Sequence, residues 1–288
     1  MPSLAPPDYV VLPLDMPDGV RFEVAVWEAA IPGSPTLLMV PAMGAPVAYY
    51  RPFLQRLQQA GYTVVATDWR GHGRNYPRVS RQSRFGYAQL LEDLHHVASW
   101  THQRYPQAPV YLLGHSLGGQ LSLLTLARHP NAADGAILVA SGSVYFRAYR
   151  HPLRTLLVTQ MAALIAQVWG VWPGRRFGFG GTESRGVMRD WAYQARTGFY
   201  RPRHATFNYE DGLRRVPHRI LAISVQHDQL APSTALEHLC HKLPAANITR
   251  EEAAGESLDH FSWVKNCQPV VAATIQWLRV PPPASRWQ

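Results

Sequence analysis

Apolar residues along this chain fall into short unbroken runs separated by longer stretches of helical spacing. Leu37-Leu38-Met39-Val40 is one such run, and 63–67, 110–114, 135–140 and 219–225 are others. Runs of this kind, without polar alternation, predict strands buried on both faces. Helices are expected from the loop after residue 40 to about 60, over 87–105, from Ser116 to near His129-Pro130, over 233–242 and over about 263–278. A short strand is expected at 248–252. Residues 9–14 and 21–30 read as two strands about the turn Met16-Pro17-Asp18-Gly19. Phe22, Val24 and Val26 alternate there with more polar neighbours, as in a half-exposed antiparallel pair. Strands alternating with helices predict an α/β domain, a mostly parallel sheet with helices on both faces. Ligands in such sheets sit beyond the carboxyl ends of the strands.

The rhythm breaks at about Val144. Residues 153–172 form one long apolar, helix-like segment, followed by the Gly-, Arg- and aromatic-rich passage 174–181 and a second aromatic segment with Trp191, Tyr193, Phe199, Tyr200, Phe207 and Tyr209. This predicts a core domain from residues 1–143 and 216–288, with a helical cap, 144–215, inserted over the sheet edge. A membrane span is the rival for 156–172. Thr159, Gln160 and Gln167 interrupt it, and it falls short of the roughly 18–20 apolar residues a span needs. An amphipathic lid helix is the expectation. The tail at Pro281-Pro282-Pro283 is expected to be loose.

Composition adds two constraints. The chain of 288 residues is 47% hydrophobic and 16% charged, which fits a folded enzyme and excludes a disordered protein. No N-terminal segment pairs a basic start with an apolar core, so no signal peptide is expected, and Cys240 and Cys267 offer neither a disulfide framework nor a metal site. Both features favour a cytoplasmic protein. The net charge of +9 is localised: residues 144–218 hold twelve arginines, four acids and no lysine. Such a patch attracts anionic substrates or surfaces. A solvated basic insertion explains it equally well.

The chemistry centres on Gly114-His115-Ser116-Leu117-Gly118, which follows the 110–114 run and opens a helix with Leu117, Leu121 and Leu124 on one face. Strand, tight turn and helix would hold Ser116 at the apex of a strained elbow, where a Cβ at Gly114 or Gly118 would clash. Free amides at the helix start would face an oxyanion formed on Ser116. A serine hydroxyl is almost un-ionised near neutral pH, so it needs a base, and the base needs an acid to orient it. His260, on the loop after the last strand, is the candidate base. Asp228, at the end of the 219–225 strand, is the candidate acid, with Asp259 and Glu256 as nearby rivals. The chain order serine, acid, histidine is the one associated with this elbow. The Leu117 and Met43 amides are the candidate oxyanion donors. Gly44, His115, Trp169 and Trp172 are candidates to line the substrate pocket, although His115 should point away from Ser116 into packing. His72 sits in the glycine loop Asp68-Trp69-Arg70-Gly71-His72-Gly73 and is placed to line the site. The His129–Asp134 spacing of some acyltransferases is an accidental match at a helix end. The sequence holds no phosphate-binding loop, zinc spacing or nucleic-acid module, so no cofactor, metal or nucleic acid is expected.

Together these motifs resemble the α/β-hydrolase superfold over about residues 20–280. Pro41-Ala42 stands where most relatives carry His-Gly. Pro-Ala-Met-Gly, with Asp228-Gln229-Leu230-Ala231-Pro232, resembles a bacterial branch of predicted hydrolases. The resemblance implies a serine hydrolase that cleaves a small-molecule carboxylic ester through an acyl-enzyme. The aromatic cap adds the expectation of an apolar substrate part, and its arginines that of an anionic group and transient contact with a membrane surface, without stable insertion. An acyltransferase, thioesterase, amidase or perhydrolase using the same residues, and a non-catalytic binding protein, are the alternatives.

Overall fold

The computed structural model describes residues 9–178 and 180–280. In chain order the elements are β1 (Val10–Asp15), β2 (Arg21–Trp27), β3 (Thr36–Val40), α1 (Arg51–Gln59), β4 (Thr63–Thr67), α2 (Tyr87–Arg104), β5 (Val110–His115), α3 (Leu117–Arg128) and β6 (Gly135–Val139). An insertion follows with α4 (Pro152–Trp169), β7 (Val171–Pro173), α5 (Gly174–Phe177), β8 (Thr182–Ser184), α6 (Arg185–Thr197) and α7 (Tyr209–Arg214). The chain then returns to the sheet with β9 (Arg219–Val225), α8 (Ser233–Cys240), β10 (Asn247–Ala253) and α9 (Gln268–Arg279).

The main sheet has eight strands in the order β1-β2-β4-β3-β5-β6-β9-β10. β2 runs antiparallel to both its neighbours, and every pairing from β4 to β10 is parallel. Every residue of β3, β5 and β6 is buried, as their unbroken apolar runs require. One face packs against α2 and α3 through Leu90, Leu94, Leu121 and Leu124. The other packs against α1 and α9 through Phe53, Leu54, Val270 and Trp277.

This topology positions the site. β3 and β5 are neighbours in register, Val40 opposite Gly114, so the loop after β3 and the turn after β5 emerge side by side. β9 and β10 pair as far as Val225 opposite Ala253, so Asp228 and the loop carrying His260 leave the same sheet edge together.

Several boundaries differ from expectation. The last helix starts at Gln268, after a separate 3-10 turn at Ser262–Val264. The long apolar segment stops at Trp169, because Gly170 adopts a left-handed φ of 82° that caps the helix. Residues 171–173 and 182–184 form a small antiparallel ladder that local pattern did not signal. α4 is not amphipathic either: small residues, Thr159, Ala162 and Ala166, face inward, whereas Leu153, Leu157, Met161, Leu164 and Val168 are exposed. The 281–283 tail lies outside the described residues. Among the described residues no helix is long and apolar enough to cross a membrane.

Candidate active site

Ser116 stands between β5 and α3 with φ 54° and ψ −118°, a conformation that L side chains rarely adopt. The turn is held by its neighbours. A Cβ on Gly114 would lie 2.4 Å from Gly119 Cα, and one on Gly118 would lie 2.0 Å from the Val40 carbonyl oxygen. Ser116 N–H donates to the Val139 carbonyl at 3.1 Å, which ties the elbow to β6. The Ser116 hydroxyl does not cap α3. It meets His260 Nε2 at 2.9 Å instead.

His260 Nδ1 lies 2.7 Å from Asp228 Oδ2. A carboxylate only accepts, so Nδ1 carries the proton and Nε2 presents its lone pair to the serine hydroxyl. The other oxygen of Asp228 accepts the Leu230 and Ala231 amides, each at 2.8 Å. The Asp-Gln-Leu-Ala-Pro turn thus aims the carboxylate, and the Asp228 side chain is fully buried. The rival Asp259 is occupied elsewhere: its Oδ1 accepts the amides of Phe261 and Ser262 at 2.9 and 2.7 Å. These amides hold its pKa below the ordinary value.

The loop after β3 is pinned on three sides. Trp69 Nε1 donates to the Pro41 carbonyl at 2.9 Å, and the Ala42 amide donates to Tyr50 Oη at 3.0 Å. Gly44, at φ 69°, packs so closely on the insertion that a Cβ there would lie 1.9 Å from Gly181 N. The amides of Met43 and Leu117 donate to no other described residue.

His115 corrects the substrate-pocket expectation. Its side chain is fully buried behind the elbow, as alternation along β5 dictates. Burial first, and then the nearby His260, hold its pKa well below the usual histidine value, so the ring is neutral. Its Nε2 donates to the His260 carbonyl at 2.9 Å and its Nδ1 accepts from the Tyr50 hydroxyl at 2.8 Å. Tyr49 holds the same loop, donating to the Phe261 carbonyl at 2.5 Å. Sequence reasoning missed both tyrosines, because an aromatic pair at a helix start reads as ordinary core.

His72 is corrected as well. Its Nδ1 meets the Arg70 carbonyl at 3.0 Å, and its Nε2 meets Glu183 Oε1 and the Thr182 carbonyl, both at 3.1 Å. Burial alone would lower its pKa, but the Glu183 carboxylate and these acceptors push it up to about 9. His72 fastens the insertion to the core instead of lining a pocket.

Trp172 is buried and stacks on Phe177 with ring centroids 4.8 Å apart. Gly180 separates it from Met43: a Cβ on Gly180 would lie 3.8 Å from Met43 Sδ and 3.9 Å from Trp172 Nε1. Trp169 is turned outward, with Arg81, Arg175 and Arg176, onto a surface cavity of about 330 Å³ that none of Ser116, Asp228 and His260 lines. Its expected place beside the serine is therefore corrected: the stop at Gly170 leaves it exposed at the carboxyl-terminal end of α4. His129 stacks on His95 at 3.8 Å, and Asp134 accepts the Val110 amide at 2.8 Å, so neither joins the site. Among the described residues no cluster of histidine, cysteine or acidic side chains is placed to hold a metal ion.

A serine on a strained elbow, backed by an imidazole and a buried carboxylate at the carboxyl edge of a mostly parallel sheet, defines the α/β-hydrolase class. The profile of the Hydrolase_4 family, described as serine aminopeptidase S33, matches residues 34–198, and the chain belongs to that family. It is similar to the monoglyceride lipase of Rattus norvegicus, 30% identical over 125 residues, which are 43% of this chain and 40% of that protein. The match thus spans about two-fifths of that relative's length. Similarity to the putative carbamate hydrolase RutD of Caulobacter segnis extends further, 24% over 246 residues, covering 80% of this chain and 87% of that one. Among solved structures, DcsB in complex with its substrate analogue superposes with a TM-score of 0.65 at 16% identity, covering 94% of this chain and 98% of that one. That likeness supports the fold alone.

Proposed function

We propose that this protein is a serine hydrolase that cleaves carboxylic esters through an acyl-enzyme. The observation that carries the reading is the continuous hydrogen-bonded line from Ser116 Oγ through His260 to Asp228, at 2.9 and 2.7 Å. In this reading His260 Nε2 takes the serine proton as Oγ attacks the ester carbonyl. The Met43 and Leu117 amides, neither with an acceptor among the described residues, hold the oxyanion, and the imidazolium is steadied by Asp228. The same proton then passes to the leaving alcohol. Water repeats the sequence on the acyl-enzyme and frees the acid.

Residues 144–215 act as the cap over this site. Three contacts support that reading: Gly181 against Gly44, Glu183 on His72, and the Gln194 amide on Ser143 Oγ at 2.7 Å. Trp172 and Met43 line the wall on the side of the oxyanion loop. Relatives named monoglyceride lipase favour an ester with an apolar acyl part, and the arginine-rich cap favours an anionic group elsewhere in the substrate. The Pro-Ala-Met-Gly loop supports kinship with the bacterial branch of predicted hydrolases that it resembles. Acyl transfer is the second reading, favoured by 28% identity over 118 residues to a probable alcohol acetyltransferase of Cyberlindnera fabianii.

A fluorophosphonate probe tests the first reading. Folded wild-type protein should be labelled at Ser116, and Ser116→Ala should be silent. Against an ester library graded by chain length and charge, Ser116→Ala and His260→Ala should each lose about 10³–10⁶ in kcat. Unlabelled Ser116 in folded protein would make the chain a binding protein. Product analysis with and without an added alcohol separates hydrolysis from transfer.

A further inference from the structure

α4 faces solvent with the wrong residues for a soluble helix. Of the large hydrophobic side chains that the described chain exposes, half lie on this one element: Leu153, Leu157, Val158, Met161, Leu164, Val168 and Trp169. Five of them, at 153, 157, 161, 164 and 168, fall within an arc of about 80° and run along roughly 22 Å of helix. The opposite face, which packs toward the core, carries Thr159, Ala162 and Ala166. A helix that only covered a site would show the reverse arrangement, large residues inward and polar ones outward. Leu153 is 78% exposed and Val168 72%, so these side chains are not folded back under a neighbour. A continuous apolar strip of this size marks an interaction surface.

The surroundings choose the partner. Arg150 and Arg154 lie at the amino-terminal end of the strip, and Arg81, Arg175 and Arg176 at the carboxyl-terminal end. None of the five pairs with an acid among the described residues. Beside Trp169, the last three line a cavity of about 330 Å³ with no carboxylate in its wall. In the insertion, Glu183 and Asp190 are buried and leave these arginines uncompensated. A second copy of this chain would bring a second set of arginines against the first. An anionic lipid surface supplies what both features lack: acyl tails for the strip and phosphates for the arginines.

We infer that the outward face of α4, with the arginines at its two ends, docks this protein on an anionic phospholipid bilayer. The helix lies flat in the headgroup layer with Leu157 and Leu164 inserted, and the Arg81–Arg175–Arg176 cavity takes a phosphate. Among the described residues no helix is both long and apolar enough to cross the bilayer. The inference does not depend on the proposed esterase activity.

Flotation of the full chain with vesicles tests it. Vesicles of phosphatidylcholine mixed with phosphatidylglycerol should carry the wild-type protein, less so as salt rises, and vesicles of phosphatidylcholine alone should carry little. Leu157→Gln/Leu164→Gln and Arg175→Gln/Arg176→Gln should each weaken partition by on the order of tenfold, with melting temperature unchanged, since all four side chains are exposed. Failure to float with anionic vesicles overturns the inference. So does equal flotation of wild type and the leucine variant, or equal binding to neutral vesicles. A wild-type dimer in light scattering that the leucine variant dissolves would assign the strip to contact between copies, and would also overturn it.

Discussion

Tyr50 meets two demands through one hydroxyl: it accepts from the Ala42 amide and donates to His115 Nδ1. His115 passes the restraint on to the His260 carbonyl, so one buried line joins the loop of Met43 to the loop of the histidine. Tyr50→Phe would strand two buried polar groups, at a cost of about 1–3 kcal/mol. The expected result is a lower melting temperature by calorimetry, together with a fall in kcat of about tenfold at nearly constant KM. An unchanged kcat would show that this line serves folding only. Asp228→Asn should leave the fold intact and lower kcat by about 10⁴, because an amide in place of the carboxylate favours the wrong tautomer of His260. Ser116 and Asp228 were legible because each follows an apolar run, where a polar residue needs a reason, and His260 because it lies on the loop after the last strand, in the chain order that goes with the elbow. Tyr50 was not, because nothing in a Tyr-Tyr pair signals a hydroxyl that bridges two loops.

The contact between the glycine loop after β4 and strand β8 rests on a charged pair. Both ring nitrogens of His72 face acceptors, so the pair is complete only when the ring is doubly protonated. A folded-state pKa of about 9 against an ordinary 6.5 means that this stabilisation is fully present below pH 6.5. It is lost as pH rises through 9. The loss is on the order of 3 kcal/mol across that window. The melting temperature of wild type should therefore fall between pH 6.5 and 9 more steeply than that of Glu183→Gln. Equal slopes would mean that the pair does not titrate as the geometry requires. On the other side of the site, Gly44 and Gly181 touch backbone to backbone. Gly44→Ala, strained by its positive φ as well, should lift β8 away from the loop of Met43 and raise KM more than it lowers kcat. The strand and helix order of the core followed from periodicity. The β7–β8 ladder did not, since three-residue strands in a glycine-rich passage carry no period.

Across the whole molecule the charge is lopsided: the net +9 arises almost entirely in the insertion. Fields from such a patch raise the encounter rate of anions and are screened by salt. An ester bearing a carboxylate or phosphate should show a higher kcat/KM than its neutral isostere at low ionic strength, and the advantage should shrink as salt is added. Equal salt dependence for the two esters would detach the arginines from substrate capture and leave them to the bilayer surface. The sequence by itself determined the alternation of buried strands and helices, the elbow at Ser116 and the break at the insertion. Hydrophobic period and turn stereochemistry act over a few neighbouring residues and can be read there. Only the tertiary structure decided that Tyr50 reaches His115 across 65 positions, His72 reaches Glu183 across 111 and His115 reaches His260 across 145. It also decided which face of α4 turns outward, because a helix apolar all round has no face of its own until its neighbours pack against one side.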